Sequence, residues 1–393
     1  MNKPQNELTR TRPVNRRDFL QASAVALAIG ALSGKADAAT AAVEWRNQQS
    51  GMTYRRLGRT GLMISEVVSG GDPIKLENYQ HLNLALEMGL NYLDMAPAYN
   101  QGKCEEAYGK LLAGSSAKRG KVFLTTKISS FNRLIGQMYQ DIFNGLPQEK
   151  KDAVMKRAAE MRREREVEKP GYYLTYFPNQ QNGFNLAYLR GAMLKDYRHK
   201  VEGSGHCRKF ITESLEASLQ RAGVDYFDIV MCPHGANSPE DLECPEIVET
   251  FQQLKKQGKV RFLGVTSHND PAGVLRAATA AGYYDVAMVA YNVINGGYPE
   301  EAIRQAAAKG MGLISMKAAH AVATHHKALQ PIPDWRVQKI NRVITGEMKA
   351  PMKAYLWVLQ NPHIAAVISN LWDETFIKEK LSLAGKKVEL QPA

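Results

Sequence analysis

Four residues of this chain, Asp94, Tyr99, Lys127 and His234, are of the types that together could move a proton onto a carbonyl oxygen. A lysine buried beside an aspartate keeps its charge, and that charge favours phenolate, lowering the pKa of a neighbouring tyrosine. A phenol tuned in this way acts as a general acid near neutral pH, giving its proton to oxygen while a hydride arrives at carbon. A histidine close by donates a hydrogen bond to the same oxygen. Taken singly, three of them have ordinary structural roles: Asp94 as a turn cap, Tyr99 as loop packing, His234 as a satisfied polar residue. Lys127 closes an apolar run, where a charge is harder to explain by packing alone.

The four can cooperate only if the fold carries them to one place. From about residue 52 the sequence alternates short apolar runs with amphipathic helical stretches. The strand candidates are 64–69, 91–94, 122–126, 227–232, 260–265, 286–291, 312–316 and 365–368. Helical patterns follow at 77–88, 104–112, 212–222, 246–257, 271–281, 299–309, 350–360 and 374–384. Strands that read as continuous apolar runs, each followed by a helix, predict a parallel sheet covered by helices. Eight of them predict α/β architecture closed as a (β/α)8 barrel, with an open doubly wound sheet as the alternative. The Gly-x-Gly-x-x-Gly turn that usually opens such a sheet is missing after the first strand. In the barrel, Asp94, Lys127 and His234 fall at C-terminal strand ends, the face where active sites form.

Two stretches exceed a minimal barrel, 131–206 after the third strand and 318–349 after the seventh, and both overhang that face. Residues 149–169 read as a mostly solvated helix with Val154, Ala158 and Met161 as its apolar stripe. Beyond Pro170 the aromatic residues Tyr172, Tyr173, Tyr176, Phe177, Phe184 and Tyr188 are expected to pack a small subdomain or to line a substrate pocket or partner surface.

The segment Gly89-Leu-Asn-Tyr-Leu-Asp94-Met-Ala-Pro-Ala-Tyr99-Asn, continued by Glu105-Glu106-Ala-Tyr-Gly109-Lys-Leu-Leu112, resembles the aldo-keto reductase signature. So do Tyr54-Arg-Arg-Leu-Gly-Arg-Thr-Gly61-Leu, Glu213-Ser-Leu-Glu-Ala-Ser-Leu219 through Asp225-Tyr-Phe-Asp228, Gly258-Lys-Val-Arg-Phe-Leu-Gly264-Val-Thr-Ser, and Leu356-Trp-Val-Leu-Gln-Asn-Pro362. The resemblance runs in order from about 52 to 384 and implies a barrel that interconverts carbonyls and alcohols with NADPH or NADH and no metal. It places the catalytic tetrad on Asp94, Tyr99, Lys127 and His234, and the cofactor along Thr266, Ser267, Met288, Lys317, Ser369 and Asn370.

Three departures stand out. Pro233 occupies the family's histidine position, so a proline-led turn must aim His234. Ser267 and Met288 replace the Asn and Gln that grip the nicotinamide amide, and Met288 cannot be a comparable donor. The phosphate-recognition stretch reads Ile368-Ser-Asn370-Leu-Trp-Asp373-Glu374-Thr-Phe, acidic where the family is basic, which disfavours a 2′-phosphate. The catalytic side is nearly complete and the cofactor side eroded. The leading reading is an NAD(P)H-dependent reductase of a small carbonyl compound. The alternatives are a cofactor-free acid/base enzyme and a binding or assembly protein that meets its partner through 131–206.

The 393 residues carry a formal charge of +12, of which the first 38 contribute +3. Those 38 hold Asn15-Arg16-Arg17-Asp18-Phe19-Leu20, an apolar run from Ala22 to Leu32 and Ala36-Asp37-Ala38. They resemble a twin-arginine export signal read by the Tat translocon, which implies cleavage after Ala38 and a periplasmic destination for an already folded protein. The remaining basic excess is scattered, so nucleic acid is not an expected partner, and no body segment is long and apolar enough to span a bilayer. With four cysteines and no Cys-x-x-Cys, zinc ribbons and redox motifs lose their support. Cys232 with Cys244 is the first disulfide to test in an oxidising compartment, against the alternative of buried free thiols.

Overall fold

A computed structural model describes residues 42–113, 116–324 and 330–392. The proposed export signal and the 325–329 part of the second insertion lie outside the described residues.

The eight apolar runs form one closed parallel barrel in chain order. Its strands are Val67–Gly70 (β1), Tyr92–Asp94 (β2), Phe123–Lys127 (β3), Phe227–Met231 (β4), Val260–Ser267 (β5), Val286–Ala290 (β6), Gly312–Met316 (β7) and Ala366–Asn370 (β8). Every residue of β1, β2, β3, β4, β6 and β7 is buried, because helices cover the outside while side chains fill the interior. The first expected strand, 64–69, is in fact two. Leu62–Ser65 is the central strand of a small three-stranded sheet with Glu44–Trp45 and Tyr54–Arg56, and the barrel begins only at Val67. The break falls at Glu66, whose carboxylate accepts hydrogen bonds from Arg55 at 2.5 Å and from the Gly385 amide at 2.6 Å. Apolar character alone does not separate a covering strand from a barrel strand.

That small sheet packs over the N-terminal end of the barrel. Leu57, Leu62 and Ile64 share an apolar cluster with Tyr92, Phe123, Ile229, Met288 and Ile314 from the barrel interior. The approach is close enough to need glycine, since a Cβ on Gly58 would sit 2.3 Å from the Gly312 amide nitrogen. Charge reinforces the same end. The buried Asp228 carboxylate receives Arg46, Arg119 and Arg261 at 3.2, 3.1 and 2.6 Å. Burial pushes this carboxyl up, but the three guanidiniums outweigh it and hold the group below the usual carboxylate range.

At the opposite end, β3 is followed by three helices before its covering helix His206–Ala222: Phe131–Asn144 (α1), Gln148–Arg165 (α2) and Gln180–Tyr197 (α3). Val154, Ala158 and Met161 are the buried residues of α2, and its other residues face outward or sit at the margin. Of the six aromatic residues after Pro170, Tyr172, Tyr176, Phe184 and Tyr188 are buried in this packing, while Phe177 turns toward the barrel mouth. All four cysteines are buried and free. The Cys207 thiol lies against Cys244 and donates to it, which holds the Cys244 pKa down. The alternative of buried free thiols is therefore the one found, and the thiols in contact are Cys207 and Cys244, at the starts of two adjacent helices.

Candidate active site

Parallel strands place their C-terminal ends at one rim, and the four candidate catalytic residues meet there. Lys127, at the end of β3, donates to both carboxylate oxygens of Asp94 at 2.6 Å and to the Met95 carbonyl at 2.9 Å. All three ammonium protons are thereby committed. Its Nζ lies 4.6 Å from the centroid of the Tyr99 ring, over the ring face. The Tyr99 and His234 rings stand nearly perpendicular, at 88°, with centroids 6.1 Å apart. Asp94, Tyr99 and His234 all line one cleft of about 870 Å³.

The expected depression of the Tyr99 pKa does not occur. Burial raises this phenol well above its ordinary value, and the carboxylates of Asp94 and Asp72 add to the effect. Lys127 does not reverse it, because the Asp94 carboxylate paired with it offsets its charge at the ring while burial dominates. Tyr99 therefore holds its proton across the ordinary pH range, and a strongly basic oxygen is needed to take it.

His234 is aimed by the turn that begins at Pro233. Thr266 on β5 holds that turn: its hydroxyl accepts from the Gly235 amide at 2.7 Å and its carbonyl from Ala236 at 2.7 Å. The imidazole Nδ1 pairs with the Ser129 hydroxyl at 2.9 Å. Burial, then Lys127 and Lys317, push the His234 pKa down to about 3, so the ring is neutral. With Ser129 donating to Nδ1, the neutral tautomer keeps an Nε2 hydrogen to offer.

The expected cofactor positions divide. Met288, Lys317 and Asn370 line the cleft, whereas Thr266, Ser267 and Ser369 stand behind it. Thr266 is engaged by the Pro233 turn, and the Ser369 hydroxyl donates to Tyr355 at 3.3 Å. The Ser267 hydroxyl is fully buried behind the cleft wall without a hydrogen-bond partner. Lys317 adopts a left-handed backbone, φ 65°, at the end of β7, a costly conformation typical of functional sites.

Asp373 and Glu374, the acids expected to repel a 2′-phosphate, do not line the cleft. Asp373 caps the helix Glu374–Leu381, accepting from the Phe376 amide at 3.0 Å. About two turns further on, that helix instead sends Lys380 into the cleft. Lys380 is buried, its Nζ meets the Met352 sulfur at 2.9 Å, and the rings of Tyr355 and Phe376 lie 5.4 Å away. Among the described residues no carboxylate comes within ion-pair distance of it. A buried ammonium without an anion is costly, and burial lowers its pKa accordingly. The site thus has a place for an anionic group where the sequence reads as acidic. The cleft fits a dinucleotide in volume and in this buried cation, which has no ion-pair partner among the described residues and is offset only through space by Glu379.

The sequence reading also omits His268, which follows β5 directly, lines the cleft and stacks edge-on with Phe177 at 5.1 Å. The strand-end logic that selects His234 would have found it one residue past Ser267. His320, Tyr355 and Trp372 complete the wall.

The model of the aldo/keto reductase family matches residues 73–333. The aldo-keto reductase AFTS1 of Alternaria alternata is 27% identical over 227 residues, 54% of this chain and 49% of the relative. The uncharacterized oxidoreductase YqkF of Bacillus subtilis is 24% identical over 219 residues, 55% and 49% of the two chains. The chain therefore spans about half the length of these relatives. The holo form of the aldo-keto reductase AKR11C1 from Bacillus halodurans superposes with a TM-score of 0.56 at 18% identity, covering 86% of this chain and 92% of that one, a likeness of fold.

Proposed function

Since the chain belongs to the aldo/keto reductase family, we propose that it reduces the carbonyl of a small aldehyde or ketone to the alcohol, with Tyr99 as the proton donor and NADPH or NADH as the hydride source. The observation that carries this reading is the convergence of a protonated Tyr99, the Lys127–Asp94 pair and a neutral His234 on one cleft. Lys317, Asn370 and Lys380 would hold the cofactor, which when bound supplies the hydride.

The chain's own residues do the rest. The substrate oxygen sits between the Tyr99 hydroxyl and the His234 ring, and the imidazole hydrogen bond favours charge building on that oxygen. An alkoxide is a stronger base than a carbonyl oxygen by many powers of ten, so the Tyr99 proton moves only as the alkoxide forms. Asp94 and Lys127 stay paired throughout. Their ammonium over the ring face offsets the negative charge left on the tyrosine until solvent returns the proton. Phe177, Met288 and Met316 keep the cleft wall apolar, which strengthens these interactions. Export in the folded state through the Tat route, with the cofactor loaded beforehand, is part of the same proposal.

Tyr99→Phe tests it. The variant keeps the ring and the Lys127 contact and loses only the proton, so kcat for carbonyl reduction falls about 10²–10⁴-fold while cofactor binding and melting temperature hold. Undiminished turnover would remove Tyr99 from the mechanism.

A further inference from the structure

Behind the reaction cleft lies a second chamber of about 540 Å³ that no strand of the barrel builds alone. It is enclosed between the insertion helices α1 and α3 and the segments after β4 and β5, and it shares Phe177, His234 and His268 with the reaction cleft. A ligand reaching from one to the other keeps its carbonyl beside His234 and puts its far end here.

The chamber's polar lining brings donors together beside one unpartnered acceptor, the Asn132 Oδ1, whose NH2 group is already given to the Gly235 carbonyl. The helix α1, 14 residues long, and α3, 18 residues long, both begin at it, and neither Ser130 nor Asn179 at their N-caps spends its side chain on capping. Two uncapped N-termini bring free amide hydrogens and the positive ends of two helix dipoles to one space. Arg133, in the first turn of α1, is exposed at the rim, with no acid within ion-pair distance among the described residues. At the floor, Arg190 is 2% exposed and its Nε hydrogen has no acceptor. The one acid in the lining, Asp241, is already engaged by Arg190 at 3.3 Å and by the Asn237 amide at 2.8 Å. A chain of carboxamides orients a further donor: Gln180 donates to Asn269 at 2.5 Å, and Asn269 to the Asn237 carbonyl oxygen at 2.6 Å, which leaves the Asn237 NH2 group to give. Gly183 leaves space beside it, since a Cβ there would lie 3.3 Å from that nitrogen.

From this chamber we infer that the substrate carries an anionic group, a carboxylate or phosphate ester remote from its carbonyl, received between the N-termini of α1 and α3 by Arg133, Arg190 and Asn237. The inference rests on the reductase reading for what happens at the carbonyl. An anion here meets net positive charge, because Asp241 and Arg190 offset each other and Arg133 remains.

The test compares carbonyl pairs that differ only in the anion: 4-oxobutanoate against butanal for carboxylate, glyceraldehyde 3-phosphate against glyceraldehyde for phosphate. In at least one pair the anionic member should have kcat/KM tenfold or more above its neutral partner. Arg133→Glu should bring that ratio below threefold. Lys156→Glu, the same charge change on the outer surface of α2, should leave the ratio intact. Which pair responds identifies the source of the anion. Equal rates within both pairs, or a preference that survives Arg133→Glu or is lost equally in Lys156→Glu, would overturn the inference. If none of the aldehydes is reduced, the reductase reading has failed and the chamber is judged by binding: glutarate or inorganic phosphate should raise the melting temperature of the wild type and not of Arg133→Glu. No stabilisation of the wild type by either anion would overturn it there as well.

Discussion

The two ends of this barrel handle charge in opposite ways. At the N-terminal end Asp228 is met by three arginines, Arg261 also reaches Glu44, and each member of this cluster has an opposite charge within reach. At the C-terminal end the Lys127–Asp94 and Lys349–Glu379 pairs stand beside a neutral His234, a neutral His268, a strained Lys317 and a buried Lys380 facing sulfur and aromatic rings. The first arrangement holds the covering sheet on the barrel. The second leaves donors and a cation unsatisfied, a local cost that a ligand can repay. Stability and chemistry are thus segregated along the barrel axis, as the fold's geometry favours.

Removing one charge from the satisfied end should produce the largest effect. Asp228→Asn strands three guanidiniums and should cost about 3–5 kcal/mol of stability, seen as a lowered melting temperature, with cofactor affinity unchanged in the protein that remains folded. A loss below about 1 kcal/mol would mean that Glu44 carries the cluster instead.

The ends should also differ in acid. The folded pKa of His234, about 3, lies below its unfolded value of about 6.5, so the unfolded chain takes up a proton the folded protein refuses. Its neutral ring costs nothing above pH 6.5 or so, and stability falls as pH drops from there toward 3. Asp228 is depressed as well, so its contribution is full above the unfolded carboxylate value near 4 and is lost only as pH falls through its lower folded value. Denaturant titrations across pH should therefore show His234→Asn flattening the slope between about pH 6 and 4, and Asp228→Asn changing only the limb below it. A common window for both variants would erase the distinction.

The smallest of these effects concerns Lys380. Lys380→Met removes the buried ammonium, so NADPH affinity should fall about tenfold, the scale of one charged hydrogen bond, while stability rises or holds. Unchanged NADPH affinity together with lower stability would make Lys380 a packing residue.

The architecture was legible because each barrel strand is covered on both sides and reads as an unbroken apolar run. Residues 64–69 were the exception, since hairpin and barrel strands are equally apolar and only the tertiary partners of Glu66 divide them. Asp94, Tyr99 and Lys127 stood out through position at strand ends, and the same logic stopped one residue short of His268. The pKa of Tyr99 runs opposite to the expectation because the nearness of Lys127 is readable in a sequence while the burial of the phenol and the cancelling Asp94 carboxylate are not. Lys380 was invisible for a related reason. Asp373 and Glu374 catch the eye beside β8, yet helix geometry turns Asp373 to its own N-terminus and Lys380 into the cleft. The contact of Cys207 with Cys244 depends on two helices whose packing no spacing rule reveals.

The central claim is that the unsatisfied end of the barrel is a nicotinamide site served by Tyr99, and titration of the purified protein with NADPH and NADH tests it most directly. Trp372 lines the cleft, so binding should quench tryptophan fluorescence. The account predicts saturation at micromolar NADPH, with the same quench in Tyr99→Phe and weaker NADPH binding in Lys380→Met. Absence of any binding of either cofactor at millimolar concentration, by fluorescence and by calorimetry, would contradict it.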